Sequence, residues 1–124
     1  MKVTNMNEIP KEPFVGPQGT RQIMTGPGVT IQPLVHDSND FIMNLVNFTK
    51  GVRNKFHTHL FDQILIVTAG EGIVTTDELE RAVTAGDVIL IPAGEKHWHG
   101  AIKDSEFSHI ALHRKGEKTT QQED

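Results

Sequence analysis

His57-Thr58-His59 sets two imidazoles on alternate residues. In an extended strand, alternate side chains leave the same face, so both rings project together and can share one metal ion. Gln63 follows across a bend and can return an amide oxygen to that face. His97 comes just after Pro92-Ala93-Gly94, a turn that ends a strand, and in a barrel that strand end can lie beside the first pair. A divalent ion such as Mn, Fe, Ni or Zn takes nitrogen and oxygen donors at about 2 Å. Three imidazoles and one amide oxygen supply four donors, and an octahedral ion keeps two positions open for water or substrate. All four donors are neutral. Such a site leaves the charge of the ion uncompensated, so it should attract an anionic ligand and acidify bound water.

Three further histidines share the parity that would line a cavity beside these donors. His99 has the parity of His97, and His109 has that of Ala111 and His113. Asn44, Val46 and Phe48 also share one strand face, as pocket lining or as a core stripe. Trp98, of opposite parity to His97, is expected outside the barrel or at a subunit contact. His36 is expected in a surface loop, Glu95 and Lys96 in a solvated turn. Arg53 is either a charge at the cavity mouth or an ordinary surface residue. Gly51, Gly70, Gly86 and Gly94 are read as turn residues of unusual φ rather than ligand contacts.

Composition narrows the function classes. The chain has 124 residues, enough for one domain with a real core. It has no cysteine, which excludes disulfides and thiolate ligands and leaves imidazole and oxygen donors. Net charge is −4, and the twelve Lys and Arg residues form no basic stripe, so neither nucleic acid nor an anionic membrane is an expected partner. The polar N-terminus lacks an apolar signal core and no apolar run is long enough to span a bilayer, so a cytoplasmic location is the expectation.

Two stretches resemble the two motifs of the cupin superfamily. Gly51-(x5)-His57-x-His59-(x3)-Gln63-(x6)-Gly70 is similar to the first, and Gly86-(x5)-Pro92-x-Gly94-(x2)-His97 to the second. Two positions depart from the pattern: Gln63 stands where Glu is usual, and Ala101 where Asn is common. The segments HTHLFDQILIVTAGEG, GDVILIPAGEKHWHGA and SHIALH are similar to small single-domain bacterial cupins, which include manganese-dependent hydroxynitrile lyases. The resemblance implies metal ligation by His57, His59, Gln63 and His97, with manganese foremost and iron, zinc or nickel as alternatives. It places His99 and His109 near the metal cavity as proton-transfer candidates, with Asn44, Val46, Phe48 and His113 in the pocket. A neutral-pH imidazole suits such a role. It implies a lyase acting on a small anionic or carbonyl substrate. The alternatives are a metal-dependent dioxygenase and a non-catalytic module binding a small ligand or metal. A homodimer is likewise implied.

These side chains need strands to position them. Short β-rich runs with turns at 8–12-residue spacing predict an all-β sandwich or barrel, and the resemblance makes it a double-stranded β-helix, or jelly roll. Residues 1–20, punctuated by Pro10, Pro13 and Pro17, read as an extended arm adding a strand to a partner subunit. The barrel spans 21–114, and 115–124 reads as a frayed polar tail. Within the barrel, short strands are expected around Gly26-Pro27-Gly28, then 41–49, 63–68, a turn framed by Gly70 and Gly72, a hairpin of 73–76 with 80–83, then 88–91, 98–102 and 107–113.

Overall fold

A computed structural model describes all residues, 1–124. One 3₁₀ turn, Met6–Glu8, precedes ten strands. They are β1 (Glu12–Pro13), β2 (Thr30–Val35), β3 (Phe41–Phe48), β4 (His57–His59), β5 (Gln63–Thr76), β6 (Glu80–Thr84), β7 (Val88–Ile91), β8 (His97–Ala101), β9 (Phe107–Arg114) and β10 (Thr119–Gln121). All pairings are antiparallel. One sheet runs β1-β2-β3-β9-β5-β7 and the other β6-β5-β8-β4-β10. The sheets share β5 and curl into a jelly-roll barrel. No helix is long and apolar enough to cross a membrane.

The shared strand corrects the expected turn at Gly70 and Gly72. β5 is continuous through it: Gln63 to Ile66 pairs with β7, Glu71 to Thr75 with β6 and Gly72 to Thr76 with β8. The register shifts between Val67 and Ala69, and Gly70 has φ 75°. A Cβ at Gly70 would sit 1.8 Å from the Glu106 carbonyl oxygen. A glycine therefore lets one strand bend from sheet to sheet instead of ending. Gly51, Gly86 and Gly94 also have positive φ, as the sequence suggests.

Inward residues of β3, β5 and β9 alternate with outward ones, as strand geometry requires. Val46, Phe48, Val52, Val67, Val83 and Phe107 build most of one core, while Leu65, Ile91 and Ala111 build a smaller one. The histidine cluster lies on the same inner surface.

In the N-terminal arm, Glu12 and Pro13 pair with Ile31 and Thr30 of β2. The Gly26-Pro27-Gly28 region forms no strand before Thr30, only an isolated bridge from Met24 to Asn54. The tail does not fray: β10 pairs along β4, with Thr119 opposite His59 and Gln121 opposite His57. Side chains drive this, because the Glu123 carboxylate takes both terminal nitrogens of Arg53, at 3.1 and 3.0 Å, and the Phe56 N–H at 2.9 Å. Arg53 also stacks on Trp98 at 4.6 Å. It is committed to the tail and the barrel exterior and does not line the cavity mouth.

Candidate functional site

β4 is only three residues long, yet it buries both rings, His57 at 2% exposure and His59 at 6%. His57 pairs directly with His97 of β8, which is fully buried. The His57 ring lies 4.9 Å from His59 and 4.3 Å from His97, centroid to centroid, and His59 lies 5.1 Å from His97. One nitrogen from each of the three rings lies within 4.8 Å of the others.

Each ring has its Nδ1 occupied. His57 Nδ1–H donates to the Lys55 carbonyl at 2.6 Å, and His97 Nδ1–H to the Glu95 carbonyl at 2.8 Å. His59 Nδ1–H donates to Glu117 Oε2 at 2.7 Å. These acceptors carry no proton, so they fix the tautomer and leave a lone pair on each Nε2. His59 Nε2 and His97 Nε2 are buried without a hydrogen-bond partner. Gln63, at the start of β5, donates its amide nitrogen to His113 Nε2 at 3.3 Å, and its Oε1 is likewise buried and unpartnered. Orphaned acceptors are costly in a protein interior. Several in one cluster fit a divalent cation, which would accept all of them.

The protonation states agree. Burial pushes His57 down to about 3, reinforced by the neighbouring His97, and His59 down to about 3 for the same two reasons. Burial also lowers His97 and His113, with the Glu117 charge opposing it in both. The rings are neutral at neutral pH, as ligation requires.

A cavity of about 700 Å³ opens beside the cluster. His57, His59, Gln63, His99, His109 and His113 give it a polar lining, and Phe14, Ile23, Met24, Ile31, Val46 and Phe48 an apolar one. Asn44 also lines it, and holds exposed His36 through Oδ1 at 2.6 Å. The four ligand candidates, His99, His109, His113 and the Asn44, Val46 and Phe48 face are thus brought around one cavity, with His97 in the cluster on its wall.

His109 and His99 form a pair, with Nε2 of one 3.2 Å from Nδ1 of the other. Burial pushes His109 down to about 4, and holds His99 well below its ordinary value with help from the His109 charge. This corrects the expectation of an ordinary imidazole: at neutral pH both rings are bases without a proton to lose from a cationic state.

Two residues that hold the site's histidines escape sequence reasoning. Glu117 reaches His59 from the tail, and its other oxygen, Oε1, takes the Phe61 N–H at 3.1 Å. Asn54, buried, accepts the His99 N–H at 2.8 Å. Neither sits in a recognisable spacing.

A family model described as "Cupin domain" matches residues 44–113. The (R)-mandelonitrile lyase of Granulicella tundricola is 41% identical over 68 residues, covering 54% of this chain and 52% of that protein, about half the length of each. A cupin-like protein from Thermotoga maritima superposes with a TM-score of 0.77 at 33% identity, over 90% of this chain and 86% of its own. The polyketide cyclase RemF from Streptomyces resistomycificus superposes at 0.81 over 98% and 85% with 15% identity, a likeness of fold.

Proposed function

The chain belongs to the cupin family, and from that premise we propose that it is a manganese-dependent lyase that cleaves small hydroxynitriles to an aldehyde or ketone and hydrogen cyanide. The observation that carries this reading is the convergence of unpartnered His59 Nε2, His97 Nε2 and Gln63 Oε1 beside the His99–His109 pair. Similarity to a mandelonitrile lyase over half its length supports the substrate class.

His57, His59, Gln63 and His97 would hold the ion. When bound, it supplies Lewis acidity to an oxygen of the substrate. The protein's own contribution is a proton acceptor and a shaped cavity with a largely apolar wall. His109 and His99, neutral at working pH, take the proton of the substrate hydroxyl. The carbon–carbon bond to the nitrile then breaks, its electron pair leaves with cyanide, and the imidazole returns the proton to cyanide. Phe14, Ile23, Met24 and Ile31, which line the same cavity, receive an apolar substituent.

Aldehyde release from an aromatic hydroxynitrile, followed by absorbance with Mn-loaded protein, tests this. Wild type is expected to turn over, and His109→Ala to lose kcat by about 100-fold or more while still binding Mn. No release with Mn, Fe or Zn would overturn the lyase reading, and metal-dependent oxygen uptake would replace it with a dioxygenase.

The neutral oxygen donor gives a separate expectation. Gln63→Glu should tighten Mn binding about tenfold or more by returning a negative charge to the ligand set, and should weaken inhibition by small anions. Calorimetric titration with Mn and with azide measures both; if neither moves, Gln63 is not a ligand.

A further inference from the structure

The geometry points to Glu117 as a positioning residue that supplies, from just outside the ligand set, the negative charge that Gln63 withholds. This rests on the metal-binding reading above. Three donors hold its carboxylate: His59 Nδ1–H at 2.7 Å, the Phe61 N–H at 3.1 Å and the Thr119 hydroxyl at 3.3 Å. The side chain is only 12% exposed. A nearly buried carboxylate on the far nitrogen of a ligating ring makes that ring a stronger donor and fixes its orientation. Its place is set by β10 along β4, so the C-terminal segment completes the site. With the charge moved outward, the ion would be held by neutral atoms only and would keep more acidity toward substrate than a directly bound carboxylate leaves, while part of the affinity is recovered through His59.

Mn titration of the full chain by calorimetry, with wild type, Glu117→Gln, Gln63→Glu and the double variant, tests the assignment. Glu117→Gln keeps the shape and is expected to lower Mn affinity 10- to 100-fold. Gln63→Glu should raise Mn affinity more in the Glu117→Gln background than in wild type, because there it supplies the charge that Glu117 no longer gives; a purely structural role for Glu117 would make the two gains equal. Imidazole ¹⁵N shifts should show His59 losing its fixed Nδ1–H tautomer in Glu117→Gln. Unchanged affinity in Glu117→Gln, or equal gains in the two backgrounds, overturns the role of Glu117 alone. Wild type that binds no Mn, Fe or Zn overturns the metal reading and this role with it.

Discussion

His57→Ala is expected to lower divalent-metal affinity by more than about 100-fold, beyond the loss typical of a residue that only supports a ligand. His57 sits at the centre of the cluster. Its ring is 4.9 Å from His59 and 4.3 Å from His97, and its Nδ1 is anchored on the Lys55 carbonyl. Alanine removes a donor that no neighbour can replace, because His99 is engaged with His109 and Gln63 would already be one of the proposed donors. Metal binding and stability are linked: an ion at about 1,000 times its dissociation constant adds about 4 kcal/mol to the native state. Wild type should therefore gain a large rise in melting temperature with excess Mn, and His57→Ala should gain little. The metal-free variant should be damaged much less than an ordinary core truncation, since it relieves one crowded imidazole while opening a cavity on the wall of an existing one. Calorimetric titration and melting curves with and without metal measure both arms. Equal metal response in the two proteins would remove His57 from the ligand set.

The parts of the site that were legible in the chain are those whose geometry is local. His57 and His59 face together because strand periodicity is two, and the same parity brought His97 with His99 and His109 with His113 to the inner surface. Gln63 was legible from its spacing, since it opens the strand after the bend. What escaped depends on long-range pairing. Glu117 lies 58 residues from His59 in the chain and inside a polar tail, where composition alone predicts fraying. Its order comes from ladder bonds to β4 and from the Arg53–Glu123 pair, neither of which leaves a periodic trace. β5 was divided in two because glycine marks both a turn and a strand bend, and only the packing of Glu106 against Gly70 distinguishes them. The low proton affinity of His109 was also out of reach, since it follows from burial beside Phe48 and Phe107, at 5.5 and 5.6 Å, and not from residue type.

That burial has a measurable cost in acid. An unfolded histidine titrates near 6.5, whereas His109 is held at about 4 and His57 and His59 at about 3, chiefly by desolvation. Below pH 6.5 the unfolded chain takes up protons that the native state refuses. Stability from these rings is therefore fully present above pH 6.5 and declines as pH falls toward 4 for His109 and toward 3 for the other two. Within that window each ring contributes a slope of about 1.4 kcal/mol per pH unit. Three rings together give about 4 kcal/mol per unit, against a typical total of about 5–15 kcal/mol for a domain. His97, His99 and His113, shifted in the same direction, add to it. Metal-stripped protein should lose its fold within about two pH units below 6.5. Carboxylates do not explain a loss there, since Glu123, held low by its Arg53 hydrogen bonds, acts only below its ordinary 4.5. Urea unfolding at closely spaced pH values measures the slope, and His109→Gln should flatten it by about one proton. A midpoint that stays level between pH 6.5 and 4.5 would mean that the rings protonate in the native state and that the cluster is open to water. Excess Mn should move the acid transition to lower pH, because the ion and the protons compete for the same nitrogens.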